Sequence, residues 1–337
     1  MTAGIRRWSI FLAVILVAAI ATQTVRADGV RYRDEVFSSV TVTSDIAYGQ
    51  ANDEDGEPVT LRLDLYQPSG DTEPRRPAFV WIHGGGFTGG DKAASLETTI
   101  ATRFAKRGYV TVSINYRLRP DHYFVEGDPE LLDAVLDAQH DAQAAVRWLR
   151  ANAATYGIDA GRIGIGGYSA GAITALQVTY NSGDPGDSGN PGYASTVSAV
   201  VDISGGMATE LIDAGEPPVL IVHGTVDTRV AYDNALDIVA RAQEVGVPYE
   251  FHPLEGVGHG VWGYAESIIA WMSDFLYLYV APQPPVGGVA EAPDASALAA
   301  TSSGGSSGGT YAAVGGIAAV VVALGASGWY ARRRWLR

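Results

Sequence analysis

Residues 163–176, IGIGGYSAGAITAL, hold the tightest local constraint in the chain. Ile163 to Gly166 reads as a buried strand and Ala170 to Leu176 as a helix, and the chain turns from one into the other within about three residues. Ser169 stands at that turn, with Gly167 and Gly171 two positions to either side. Small neighbours let a strand and a helix approach closely, and the tight turn lifts the serine hydroxyl clear of the sheet. The following helix N-terminus offers partial positive charge to an anion at the same point. A glycine-rich turn with an incidental serine is the plain alternative.

The rest of the chain repeats the alternation. VFSSVTVTSDIAYG and VTLRLDLYQP read as two strands joined by the acidic loop QANDEDGEP, a hairpin. Strand and helix then alternate: AFVWIHGG, a helix over 94–107, YVTVSINY, a helix over 137–156, a strand over 162–168 and the helix opened by Ser169. VSAVVDIS, PVLIVHG, a helix over 230–245, PYEFHPLE and a last helix over 261–279 follow. Short apolar strands separated by helices predict a mostly parallel sheet covered on both faces. With the antiparallel N-terminal strand pair, this is one three-layer α/β domain with about eight strands, and 337 residues at 47% hydrophobic content supply core enough for it.

The two ends carry different signals. Arg6 and Arg7 precede an apolar stretch from Ile10 to Ala21, and VRA at 25–27 sets small residues at the positions a signal peptidase reads. Residues 1–27 therefore read as a signal peptide cleaved after Ala27, an uncleaved anchor being the rival. Residues 282–311 are rich in Pro, Gly, Ser and Ala without an apolar period, a flexible stalk. Ala312 to Tyr330 is apolar or small throughout and RRRWLR follows, the layout of a transmembrane anchor with its arginines on the cytoplasmic side. That order also resembles a C-terminal sorting signal, although no LPxTG is present. Residues 28–281 are then an exported catalytic domain. Seven of the 23 basic residues lie in 1–27 and 312–337, which hold no acid, so 16 remain against 37 acidic ones. Such a surface repels nucleic acid. The absence of cysteine removes disulfides, thiolate catalysis and cysteine-held metals.

Ligands of a parallel α/β sheet bind outside the carboxyl ends of its strands, so the loops there carry the chemistry. GYSAG supplies Ser169 as a candidate nucleophile. HGGGF, residues 83–87, offers backbone N–H donors at Gly85 and Gly86, joined by that of Ala170 after the serine, as a candidate oxyanion hole. In HGTVDTRV, Asp227 lies just past a strand end, with Asp202 and Asp233 as rivals. In GVGHGVW, His259 stands between glycines in a loop before the last helix, whereas His83, His140 and His252 sit in the glycine loop, a helix and a strand. Serine needs a base, the imidazolium needs a carboxylate, and the order Ser169, Asp227, His259 supplies each in turn. No dinucleotide fingerprint or clustered metal ligands occur, so neither a cofactor nor a metal is expected.

HGGGF, INYRL, DAQAAVRWLRANAATYGIDAGRIGIGGYSAGA, HGTVD and GHG together resemble the α/β-hydrolase carboxylesterases related to hormone-sensitive lipase. DIAYG and LRLDLYQP bring the chain nearer to the bacterial acetylxylan/feruloyl-esterase-like group. The resemblance spans residues 40–280 and implies a serine esterase acting on a small or polymer-bound ester. Two departures matter: residues 28–75 are strands where those lipase relatives carry a helical cap, and the elbow reads GYSAG in place of GDSAG. The segment YNSGDPGDSGNPGYAST is polar and is expected to leave the site without an apolar lid, favouring short acyl groups. A peptidase of prolyl-oligopeptidase type shares this fold, and a non-catalytic adhesion module is a further alternative.

Overall fold

Alternating apolar residues place two antiparallel strands at the start of the fold, β1 (Val40–Asn52) and β2 (Pro58–Pro68), paired as the expected hairpin. The computed structural model describes residues 29–122 and 128–281; the signal peptide, stalk and C-terminal span of the sequence reading lie outside the described residues. Among the described residues no helix is long and apolar enough to cross a membrane. Six further strands complete the sheet: β3 (Arg76–Ile82), β4 (Val110–Ile114), β5 (Ile158–Tyr168), β6 (Ala199–Ile203), β7 (Val219–Gly224) and β8 (Tyr249–Leu254). Their spatial order is β1-β2-β4-β3-β5-β6-β7-β8. β2 is antiparallel to both of its neighbours, and every pair from β4 to β8 is parallel.

The period-2 pattern of the central strands assigns the helices to faces. On β3, Ala78, Val80 and Ile82 join one core with α2 (Pro129–Ala151), α4 (Ala170–Tyr180) and α5 (Tyr232–Val245). Phe79 and Trp81 point the other way, into a core with α1 (Ser95–Arg107) and α6 (Ala265–Tyr279). Phe79 meets Phe104 of α1 at a ring separation of 5.0 Å. A one-turn helix, α3 (Ala153–Tyr156), joins α2 to β5. The helix expected from 137 begins at Pro129, where Asp128 caps it by accepting from the Glu130 N–H. The last helix starts at Ala265, after a 3₁₀ turn over Val261–Tyr264. It runs back along the sheet, so that Leu276 and Val280 press on Gly164, midway along β5.

Two crossovers in opposite directions define the site. From β3 the chain passes through α1 to β4 on one side, then through α2 across β3 to β5 on the other. Loops leaving β3 and β5 therefore diverge to opposite faces and open a crevice between adjacent strand ends. The glycine loop after β3 and the turn after β5 are separated by more than 80 residues in sequence and meet there.

The polar segment 181–198 does not lie over that crevice. It follows α4, which runs away from the strand ends, and leads into the opposite end of β6. There it packs on α2 and β1: Arg147 donates to the carbonyls of Gly189 and Pro185, and the Gln50 N–H donates to Ser188 O. The position expected for a lid is thus tied to α2 and the hairpin, and among the described residues it makes no hydrogen bond to the glycine loop or to the Ser169 turn. Asp141, wholly buried on α2, organises the region by accepting from the Arg117 guanidinium at 2.8 Å and from Ser188 Oγ at 2.7 Å. Arg117 also donates to Asn52 O in the hairpin. Asp141→Ala removes the buried acceptor of Arg117 and Ser188 while Arg117 keeps its ion pair with Asp137, and it is expected to lower stability by about 1–3 kcal/mol in urea unfolding. A loss under 1 kcal/mol contradicts this reading.

Candidate active site

The turn after β5 holds Ser169 at φ 55° and ψ −121°, outside the ordinary regions for a residue with a side chain. The cause is the closeness of β3 beneath it. A Cβ on Gly171 would lie 2.1 Å from Ile82 O, and one on Gly167 would lie 2.4 Å from the Gly171 carbonyl carbon. The turn is held by Ser169 N–H donating to Ile203 O at 2.9 Å, while Ala172 and Ile173 N–H donate to Ser169 O. Although Ser169 occupies the N-cap position of α4, its hydroxyl caps no helix N–H. It faces His259 instead.

His259 Nε2 lies 2.8 Å from Ser169 Oγ, and His259 Nδ1 lies 2.7 Å from Asp227 Oδ2. The Asp227 carboxylate is fully buried but well supplied: its Oδ1 accepts from the N–H groups of Arg229 at 2.8 Å and Val230 at 3.1 Å. His223, also fully buried, has Nε2 at 3.4 Å from Asp227 Oδ2 and 2.9 Å from Val230 O. The rivals named from sequence lie elsewhere. Asp202 is fully buried on β6 and accepts from Gly205 N–H at 2.7 Å, and Asp233 is exposed in the first turn of α5. Neither contacts His259 through a hydrogen bond. Burial raises the Asp202 carboxyl from its ordinary 3.8 to about 6, partly offset by His223.

The glycine loop lies against this turn. A Cβ on Gly84 would come within 2.9 Å of Tyr168 O and 3.4 Å of Ser169 Cβ, so only glycine lets the loop sit this near the serine. Gly85 and Gly86 follow with φ of 124° and 63°, and the Gly85 carbonyl is turned away to accept from Thr88 and Gly89. Among the described residues the N–H groups of Gly85, Gly86 and Ala170 donate to no carbonyl. His83 anchors the loop: its Nδ1 lies 2.6 Å from Gly84 O, and its ring stacks on Tyr116 at 4.5 Å. Burial holds the His83 imidazole below its ordinary value, which keeps it neutral beside the crevice. Among the described residues no group of His, Asp and Glu is arranged to hold a metal.

Sequence reasoning named Ser169, Asp227, His259, Gly85, Gly86 and Ala170, and the structure gathers them at one end of the sheet. It passed over Gly84, Tyr168 and His223. The signal for His223 was present, since it precedes Asp227 by four residues on the same strand end. The hydrogen-bonded chain can move the Ser169 proton to His259 Nε2 while Asp227 fixes the Nδ1–H tautomer. N–H groups at a helix N-terminus can receive the charge that develops on a carbonyl oxygen.

Comparison with known proteins agrees with this geometry. A family model described as BD-FAE matches residues 63–208, and the prolyl oligopeptidase family matches residues 181–281. The esterase LipI of Mycobacterium tuberculosis is 27% identical over 249 residues, covering 63% of this chain and 74% of that one. Lipase 1 of Geotrichum candidum is 35% identical over 130 residues, 37% of this chain and 23% of that protein. The chain thus spans about a quarter of the fungal lipase's length. Esterase 2 of Thermogutta terrifontis, solved phosphorylated by paraoxon, shares the fold with a TM-score of 0.60 at 24% identity, covering 73% of this chain and 97% of that one. A truncated carbohydrate esterase from gut microbiota aligns with a TM-score of 0.58 at 22% identity over 70% of this chain and 95% of that one. The sheet order, the sharp turn after β5 and these matches make the chain an α/β-hydrolase. Its esterase, lipase and carboxylesterase relatives class it further, as a carboxylic ester hydrolase.

The Asp202 carboxyl gives a test of this site's electrostatics. Its folded-state pKa lies above its ordinary value, so the native state binds the proton more tightly than the unfolded chain. Asp202 therefore contributes most to stability below about pH 4, and that contribution is lost as pH rises to about 6. Asp202→Asn, measured by urea unfolding at pH 4 and pH 7.5, is expected to compare more favourably with wild type at the higher pH. An equal difference at both pH values refutes the assignment.

Proposed function

We propose that the chain is an exported serine esterase of short acyl esters, working through an acyl-enzyme. The observation that carries this is the continuous chain from Ser169 Oγ through His259 to Asp227, set beside the N–H groups of Ala170, Gly85 and Gly86. His259 Nε2 takes the hydroxyl proton as Ser169 Oγ attacks the ester carbonyl carbon. The carbonyl oxygen becomes an oxyanion facing the loop and helix N–H groups. Collapse expels the alcohol, which receives the proton from His259, and leaves the acyl group on Ser169. Water, deprotonated by His259, then releases the acid and returns the proton to Ser169. Asp227 orients His259 throughout and is itself held by two backbone N–H groups.

Short acyl groups follow from the rim. The segment between β6 and β7, residues 204–218, is short and carries only a single 3₁₀ turn, Thr209–Leu211, so no apolar lid is built there. The BD-FAE match and the likeness to a carbohydrate esterase support an acyl group borne on a polysaccharide, as in the acetylxylan/feruloyl-esterase-like group. The leader at 1–27 and the stalk and span beyond 281 support export and a membrane tether. A second reading, a peptidase, is favoured by the prolyl oligopeptidase match over 181–281.

A series of p-nitrophenyl esters from acetate to laurate, run beside a peptide amide, tests this reading. Expected are kcat/KM values highest for acetate to butyrate and no peptide cleavage. Ser169→Ala is expected to remove activity to the residual level left by binding, with an unchanged melting temperature, and His259→Ala to cost about as much. Asp227→Asn is expected to lower kcat by orders of magnitude and Asp202→Asn only slightly. Near-native turnover in Ser169→Ala overturns the mechanism. For the tether, intact mass of the native protein is expected to retain RRRWLR and to lack residues 1–27; a mass ending within the stalk means the tail is processed.

A further inference from the structure

Tyr168 immediately precedes Ser169, and its side chain reaches three parts of the site at once. Its hydroxyl donates to His259 O at 3.0 Å, its ring lies 5.3 Å from the His259 ring at 33°, and its Cδ1 would lie 3.1 Å from a Cβ on Gly84. Trp262, just past His259, meets the same tyrosine ring edge-on at 5.7 Å and 76°. Beyond it Trp81 of β3 closes the row at 6.2 Å. The loop that carries His259 has glycine at 256, 258 and 260, and its backbone is otherwise tied by Gly256 N–H donating to Thr225 Oγ1, Val226 N–H donating to Val257 O and Val261 N–H donating to His259 O. Glycine-rich backbone loses much conformational freedom on ordering, so such a loop needs an external tie to hold an imidazole within a few tenths of an ångström.

We propose that Tyr168 is a positioning residue: its hydroxyl and ring lock the His259 loop to the turn bearing Ser169, fixing Nε2 on Oγ. The inference rests on the esterase reading and deepens it. Nucleophile and base are then registered to each other by consecutive residues of one rigid turn, independent of substrate. Burial, with the Asp227 carboxylate nearby, pushes the phenol upward, so the hydroxyl remains a donor across the working pH range. The role also accounts for GYSAG: an aspartate at this position is too short to reach the His259 carbonyl and would set a second carboxylate beside Asp227.

Tyr168→Phe keeps the ring and removes only the oxygen. With p-nitrophenyl acetate, kcat is expected to fall about five- to tenfold, the worth of a lost hydrogen bond, with KM within about twofold. The second-order rate of covalent inactivation by paraoxon, which requires the same Ser169–His259 geometry but no turnover, is expected to fall by a similar factor. Tyr168→Leu, which also removes the ring from His259 and Gly84, is expected to lose more on both measures. The melting temperature of Tyr168→Phe should stay within about 3 °C of wild type, because one partly buried hydrogen bond is all that is lost. Unchanged kcat and inactivation rate in Tyr168→Phe overturn the inference, as does a rise in KM at constant kcat. If wild type neither hydrolyses the ester nor reacts with paraoxon, the esterase reading itself fails, which is a separate result.

Discussion

Everything in the site is referred to one close approach, that of the first turn of α4 to the end of β3. Gly171 lies so near the Ile82 carbonyl that no side chain fits between them, and the strand–helix corner closes only when Ser169 takes a positive φ. Strain of this kind costs about 1–3 kcal/mol and persists only where the surroundings over-determine it. Here they do: the Ser169 N–H is held by β6, its carbonyl by two helix N–H groups, and both flanks are sealed by glycine. The corner cannot relax without unpacking the centre of the sheet.

The arrangement around that corner separates charge by burial. The carboxylate lies deepest, wholly enclosed and satisfied by backbone N–H groups, so it has little freedom to move or to find another partner. The imidazole is intermediate, with 17% of its side chain exposed, and the hydroxyl lies at the crevice floor. Fixed donors that need no reorganisation act more strongly in such a partly dry place than in water. The neutral His83 beneath the glycine loop fits the same scheme, since a second cation there would compete for the charge that the loop N–H groups receive.

The sheet, its flanking helices and the three side chains that meet at its edge were legible because each leaves a local mark: apolar period, glycine spacing, or a chemically singular residue just past a strand. Helix ends were read less well, as at α2, where the cap at Asp128 lies beyond a stretch without clear period. The errors of omission are of another kind. Tyr168 stood in plain view as a departure within the elbow, yet its partner is 91 residues away and is a backbone carbonyl, which no residue type reveals. Gly84 looked equivalent to Gly85 and Gly86 until the crossover placed it against Ser169. The polar segment 181–198 was assigned to the mouth of the site because sequence order does not state which way α4 runs.

The direction of α6 has a geometric consequence for the whole protein. The helix starts beside His259 and runs about 22 Å back along the sheet, at 1.5 Å per residue over 15 residues, to end beneath Gly164. Near its last turns Ser273 Oγ donates to Arg33 O, so the start of the domain lies at that same end. Both chain ends therefore leave the domain from behind, opposite the crevice. Anything joined at either end would stand behind the body and leave the mouth of the crevice open.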